Sequence, residues 1–295
     1  MPHFRVDMNL TSAPQIKELL ANHGIHPKKR LGQNFLIDRN VLDRLINAAD
    51  LKPDSSVLEI GPGLGVVTAE ATKLAGRVLC VEIDKDLGPI LSELLSDCAN
   101  AEIIIDDFLK LDLEQLFDAR GIGKWTVVAN LPYYITTPIL TKLIDSKQYF
   151  KTIMLMVQRE VAQRLRATAG SDEYGSISVF VQYHCEVESI MRVSRNVFYP
   201  IPDVDSELIK LTVRDTPAVA VEDEDTYFSI VKAAFGKRRK TLLNALSSSG
   251  DLKWDKQQAQ DILLSAEIDP TRRGETLDLA EFAALANRAH AHLTR

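Results

Sequence analysis

Between Ser55 and Val213 the chain alternates short, almost purely apolar runs with stretches of helical pattern. The runs are SVLEI, RVLCVEI, AEIIID, WTVVANL and TIMLMV, followed by CEVESIMRV and ELIKLTV. Strands without polar alternation are covered on both faces, and parallel strands joined by helices meet that condition. The alternation therefore predicts an α/β fold in which a doubly wound, mostly parallel sheet of seven strands is wrapped by helices. Asp84 opens the helical stretch KDLGPILSELL and Thr136 opens TPILTKLI. YGSISVFVQ stays open, since Ile177, Val179 and Val181 alternate as in a strand while a helix fits equally well. PQIKELLANHG and NVLDRLINAAD read as two helices ahead of the sheet.

After Val213 the pattern changes. RDTPAVAVEDEDT reads as a polar linker, and TYFSIVKAAF, KRRKTLLNAL, KQQAQDILLSA and DLAEFAALANRAHAHL are helical, with no strand between them. Three regions follow: residues 1–54 with the leading helices, 55–214 with the sheet, and 215–295 as a small all-helical domain.

The turn Gly61-Pro62-Gly63-Leu64-Gly65 follows the first strand and opens a helix. Glycines there let backbone amides approach a ligand at the carboxyl end of a strand. About 20 residues on, the next strand ends in Val81-Glu82-Ile83-Asp84, where the Glu82 carboxylate can accept both hydroxyls of a ribose. This pairing implies a cofactor containing adenosine. Glu59 ahead of the turn and Pro62 within it make the segment similar to the first motif of methyltransferases, ExGxGxG, which favours S-adenosyl-L-methionine over a dinucleotide. The third strand delivers Asp106-Asp107-Phe108. One aspartate can accept the adenine amino group while the other is a helix cap or solvated, and the motif's register selects Asp107 for adenine.

The fourth strand ends in Asn130-Leu131-Pro132-Tyr133-Tyr134. An exocyclic adenine amine is a poor nucleophile, because its lone pair is delocalised into the ring. The Asn130 side-chain oxygen and the Leu131 carbonyl can take its two protons and aim the nitrogen at a methyl donor. Pro132 stiffens the backbone, and Tyr133 can stack on the base. An Asn-x-Pro-Tyr sequence also makes an ordinary turn; its position after the fourth strand favours the catalytic reading.

No apolar run approaches the roughly 20 residues of a membrane span, and MPHFRVDMNLTSAPQ lacks the pattern of a signal peptide. Cys80, Cys98 and Cys185 form no CxxC pair, and the six histidines form no HxxxH or HExxH pattern. A cytoplasmic protein without metal is expected. The formal net charge of −6 argues mildly against nucleic acid as a partner. Two local clusters, Lys28-Lys29-Arg30 and Lys237-Arg238-Arg239-Lys240, can nevertheless contact a phosphate backbone. On charge alone they read as solvated surface.

Five motifs in order decide the matter: Lys29-Arg30-Leu31-Gly32-Gln33-Asn34-Phe35-Leu36, the glycine turn, Asn130-Leu131-Pro132-Tyr133, Phe198-Tyr-Pro-Ile-Pro-Asp-Val-Asp-Ser206, and Phe235-Gly-Lys-Arg-Arg-Lys-Thr-Leu-Leu-Asn-Ala-Leu246. Together they resemble the ribosomal RNA small-subunit adenine dimethylase family (KsgA/RsmA) over nearly the whole chain. The resemblance implies a Rossmann-like methyltransferase sheet and S-adenosyl-L-methionine bound by Asn34, Leu36, Gly61, Gly63, Glu82, Asp107 and Asn130. It implies that Phe198 lies opposite Tyr133 with the target adenine between them, although a core aromatic beside two prolines is an equal reading of Phe198 itself. It further implies N6,N6-dimethylation of two adjacent adenosines in the 3′-terminal hairpin loop of 16S rRNA by a monomer, with a role in small-subunit biogenesis. A large-subunit rRNA methylase is the nearest alternative. A DNA adenine methylase, an inactive assembly factor and an NAD-dependent oxidoreductase explain fewer of the motifs.

Overall fold

A computed structural model describes residues 10–121, 123–132, 134–237 and 239–293. Tyr133 and Arg238 lie outside the described residues. The chain divides into two compact units, residues 1–162 with 188–213, and residues 163–187 with 214–295.

The described residues form the strands β1 (Phe35–Leu36), β2 (Ser56–Ile60), β3 (Arg77–Glu82), β4 (Ala101–Ile105), β5 (Trp125–Asn130), β6 (Phe150–Gln158), β7 (Cys185–Val193), β8 (Phe198–Tyr199) and β9 (Ser206–Val213), all in the first unit except residues 185–187 of β7. The seven-stranded sheet has the order β4-β3-β2-β5-β6-β9-β7. The pairs from β4 to β6 are all parallel, and β9 runs antiparallel to β6. All seven strands expected from the apolar runs are present. A two-residue antiparallel ribbon adds β1 to β8, pairing Phe35 with Tyr199 and Leu36 with Phe198; nothing in so short a stretch announced it.

Burial explains the apolar runs. Val57, Leu58, Val78, Leu79, Cys80, Val127 and Ile153 are all 0 % exposed. The helix Arg39–Ala49 covers one side, capped by Asp38, whose side chain accepts from the Val41 amide at 3.0 Å. Its Val41, Leu42, Leu45, Ile46 and Ala49 share one apolar face against β2, β3 and β6 residues. Such side chains contribute roughly 1.5–3 kcal/mol each when fully buried. The helix Ala13–Asn22 packs Ile16, Leu19 and Leu20 into a second cluster with Leu64, Leu87 and Leu91.

Sequential strands run outward from β2 through β3 to β4, then resume on the other side of β2 with β5 and β6. The direction of winding thus reverses between β2 and β5. In a sheet of this type, the crevice outside the carboxyl ends of the strands at that reversal is the ligand site.

The second unit is helical: Ser176–His184, Glu224–Gly236, Leu242–Leu246, Lys256–Ser265 and Leu279–Leu293. Its core joins Tyr227, Ile230, Leu242, Trp254, Leu263 and Phe282. One open reading is decided, and the expectation for KRRKTLLNAL is corrected. YGSISVFVQ is a helix, started by Gly175, whose amide donates to the Ser178 hydroxyl at 3.0 Å. Residues 163–187, read as part of the 55–214 region, belong with the helical unit through Tyr174, Val179 and Tyr183. Among its described residues KRRKTLLNAL is helical only over Leu242–Leu246; Lys237 follows the end of the preceding helix, and the Lys240 amide donates to the Lys237 carbonyl at 2.8 Å. Of the expected linker 214–226, residues 214–223 lack regular structure and 224–226 instead open the helix Glu224–Gly236; the linker is docked, the Ala218 amide donating to the Tyr183 carbonyl at 2.9 Å.

Candidate active site

Four motif residues stand at the carboxyl ends of neighbouring strands: Gly61 after β2, Glu82 closing β3, Asp107 after β4 and Asn130 closing β5. Gly61 and Gly63 have φ of 70° and 61°, in the left-handed region that favours glycine. At Gly61 a Cβ would meet nothing within 4 Å, so its backbone borders open space. At Gly63 a Cβ would lie 3.1 Å from the Phe35 ring, so the missing side chain lets that ring settle on the turn.

Glu82 is 4 % exposed. Its Oε2 accepts from the Gly63 amide at 3.1 Å and its Oε1 from the Asp84 amide at 2.8 Å. Burial pushes its carboxyl above the usual value, opposed by those amide hydrogen bonds. Each carboxylate oxygen retains a second lone-pair direction for a ligand hydroxyl. Glu59, also 4 % exposed, accepts the Thr68 hydroxyl, and burial raises it to about 7.

Asn130 donates from Nδ2 to the Asn34 carbonyl at 3.0 Å. A carbonyl can only accept, so the amide orientation is set and Oδ1 is the end available to an incoming amine. The Leu131 amide is bonded to the Met156 carbonyl at 3.2 Å, while its own carbonyl receives no hydrogen bond among the described residues. Among the described residues, two acceptors at the end of β5, Asn130 Oδ1 and the Leu131 carbonyl, therefore receive no hydrogen bond. The segment Leu31–Leu36 forms the facing wall: Asn34 donates from Nδ2 to the Gly32 carbonyl at 2.9 Å. Gly32 is left-handed at φ 60°, and a Cβ there would come within 3.0 Å of Pro132 Cβ.

One pocket gathers Asn34, Leu36, Gly61, Gly63, Glu82 and Asn130, together with Pro132, Glu59 of the glycine-turn motif and Phe35. Asp107 is not among its lining residues. Its Oδ1 caps the following turn by accepting from the Leu109 amide at 3.0 Å, while Asp106 is the exposed neighbour. Asp107, the residue chosen for adenine, is the one that caps the turn, and Asp106 Oδ1 accepts the Asp107 amide at 2.7 Å. Phe198 is 2 % exposed in the apolar cluster with Leu36, Leu42 and Met156, and it does not line the pocket either. The core reading describes its place in this structure.

The basic residues separate. Lys29 and Arg30 are exposed, as are Lys237, Arg239 and Lys240, with Lys237 Nζ donating to the Ser248 hydroxyl at 2.9 Å. Lys28 is instead drawn to Asp84 and Asp86, with Nζ at 2.5 Å from each carboxylate. The sequence offered a signal in Asp84 and Asp86, but it could not show that they face residue 28.

The family model for ribosomal RNA adenine dimethylases matches residues 25–285. The chain belongs to that family. It is 48 % identical over 285 residues to ribosomal RNA small subunit methyltransferase A of Pelotomaculum thermopropionicum, covering 94 % of this chain and 96 % of the relative. It is 46 % identical over 282 residues to the protein of the same name from Geobacillus thermodenitrificans, covering 95 % and 96 %. Among solved structures, a dimethyladenosine transferase from Plasmodium falciparum superposes with a TM-score of 0.70 at 28 % identity, covering 85 % of this chain and 95 % of that one. The 23S rRNA methyltransferase ErmE gives 0.66 at 27 %, covering 87 % and 100 %. The dimethylase chain is an enzyme with a Rossmann-like sheet, and S-adenosylmethionine is its cofactor. The pocket fits that cofactor: a buried carboxylate with spare acceptor capacity, and a glycine backbone bordering open space.

Proposed function

We propose that this dimethylase converts two adjacent adenosines in the 3′-terminal hairpin loop of 16S rRNA to N6,N6-dimethyladenosine, acting as a monomer in the cytoplasm on the small ribosomal subunit or its precursor. The observation that carries the chemistry is the pair of unspent acceptors, Asn130 Oδ1 and the Leu131 carbonyl, beside a pocket whose wall shares Asn130. An amine with both protons accepted there presents its lone pair in one direction, and catalysis comes from positioning and fixed dipoles. S-adenosylmethionine supplies an electrophilic methyl group on a sulfonium centre. Glu82 and the glycine turn hold the donor's nucleoside, and Asn34 and Leu36 wall it in. The surplus proton leaves the nitrogen after transfer, so no general base is needed. Leu131, 2 % exposed, acts through its backbone while its side chain anchors the turn. A hairpin loop suits the reaction because unpaired bases are extruded at low cost.

Tyr133 is proposed to stack on the target adenine. Phe198 takes part only if its ring leaves the cluster that now covers it. Asp107 is proposed to reach the cofactor adenine through Oδ2, which does not cap the turn. Lys29, Arg30, Lys237, Arg238, Arg239 and Lys240 are proposed to follow the RNA backbone. The name shared by relatives above 45 % identity favours the small subunit over the large-subunit substrate of ErmE, at 27 %. The test is incubation with separated small and large subunits and labelled cofactor, followed by nucleoside analysis of the digested RNA. Dimethyladenosine confined to small-subunit RNA is expected; label in large-subunit RNA, or no dimethyladenosine, overturns the assignment.

A further inference from the structure

The turn Lys29–Leu31, at the head of the pocket wall, has Lys29 and Arg30 exposed and Leu31 half-buried, with none of the three fully buried. Apolar packing therefore places it only weakly. Its internal bonds, Leu31 amide to Lys28 carbonyl at 2.9 Å and Gly32 amide to Lys29 carbonyl at 3.0 Å, shape the turn without attaching it to anything. The attachment runs through Asp84, a carboxylate only 3 % exposed. Asp84 Oδ1 accepts from Lys28 Nζ at 2.5 Å and from the Asp86 amide at 3.1 Å, and Oδ2 accepts from Gln33 Nε2 at 2.7 Å. Gln33 Oε1 in turn accepts the Lys28 amide at 2.7 Å, closing a ring that brackets the turn from both sides. The Asp84 amide is the group that holds Glu82 Oε1. At the far end the wall is fastened by Asn130 to the Asn34 carbonyl and by the pairing of β1 with β8.

We propose that Lys28, Gln33 and Asp84 form a latch: positioning residues that hold the Leu31–Leu36 wall against the bound cofactor and keep it in register with Glu82. The electrostatics agree with this geometry. The hydrogen bond to Asp84 comes first among the causes that raise the Lys28 ammonium above its ordinary value. Burial pushes the Asp84 carboxyl up, but hydrogen bonds from Lys28, Gln33 and the Asp86 amide more than offset that and leave it below the usual range. Lys28 is thus a tether in the cofactor site, in contrast to its exposed neighbours Lys29 and Arg30.

The latch rests on the cofactor assignment and not on the identity of the RNA, so it is testable with S-adenosylmethionine alone. Lys28→Met should raise the cofactor Kd by roughly tenfold, the scale of one charge-assisted hydrogen bond, with Gln33→Ala acting in the same direction. Lys28→Arg keeps the charge and should recover most of the affinity. Trypsin cleavage after Lys29 and Arg30 should be slowed by cofactor in the wild type and much less so in Lys28→Met. In turnover the KM for cofactor should rise while kcat at saturating cofactor stays within about a factor of two, a split that general loss of folding does not produce. Lys29→Met, one residue away, should leave the cofactor Kd in place. A cofactor Kd within twofold of wild type in folded Lys28→Met overturns the latch. If that variant instead flattens the salt dependence of RNA binding by about 0.7–0.9 per lost contact, with cofactor affinity unmoved, Lys28 is a phosphate contact and the latch is again refuted.

Discussion

Replacing Glu59 with glutamine should stabilise the protein at alkaline pH and flatten the pH dependence of its stability. Glu59 lies on β2, 4 % exposed, and its Oε2 accepts the Thr68 hydroxyl. Burial raises its carboxyl from the ordinary 4.5 to about 7; the Thr68 hydrogen bond opposes the rise and the nearby Glu82 carboxylate adds to it. Between those two pH values the folded chain holds a proton at this site that the unfolded chain has released. Stability therefore falls as pH rises from about 4.5 to about 7, and the full cost persists above that. Each pH unit of displacement is worth about 1.4 kcal/mol, so the cost at pH 8 is about 3 kcal/mol. Glutamine keeps the shape and an oxygen for Thr68 but has no charge to bury. Urea unfolding of both proteins at pH 5, 6, 7 and 8 measures the difference, in which the other titrating groups cancel. The variant should gain up to about 3 kcal/mol on wild type between pH 5 and pH 8. A difference that stays constant over that range refutes the argument.

Glu82→Gln removes the charge that receives the ribose, and two charge-assisted hydrogen bonds at about 1.5–3 kcal/mol each put the loss of cofactor affinity at 100-fold or more; calorimetric titration showing unchanged affinity would remove Glu82 from that role. Asn130→Ala deletes one of the two acceptors and should lower kcat on the order of 10²-fold, the scale of losing one aimed group, while filter-binding affinity for RNA changes little. Phe198→Ala should destabilise the fold by about 3–5 kcal/mol, because its ring fills the cluster with Leu36 and Met156; a stable variant with weakened RNA binding would place the ring on the substrate instead. Arg239→Ala with Lys240→Ala, both exposed, should flatten the plot of log K against log salt by about 0.7–0.9 per lost phosphate contact, without changing which adenosines are modified.

The seven sheet strands and most of the helices were legible in the sequence because they obey local rules. Parallel strands buried on both faces must be apolar throughout, as SVLEI and TIMLMV are. Helices need one apolar stripe and a capping residue, as Asp38 and the run from Val41 to Ala49 supply. The glycine turn, Glu82 and Asn130 were legible for a related reason: each ends a strand, and parallel strands deliver their carboxyl ends to the same edge. Other features depended on distant parts of the chain. YGSISVFVQ has a pattern compatible with either element, and it became a helix inside the helical unit, where Gln182 Nε2 reaches the Leu165 and Ala167 carbonyls. Charge type marked Lys28, Lys29 and Arg30 as equals, and only the fold put Asp84 beside the first of them, 56 residues away. Phe198 had two readings until the pairing of β1 with β8 set it against Leu36. Periodicity and capping are properties of neighbouring residues and can be read in order. Which charge meets which, and which ring is covered, depends on long-range packing, and that was decided only when the sheet closed around its core.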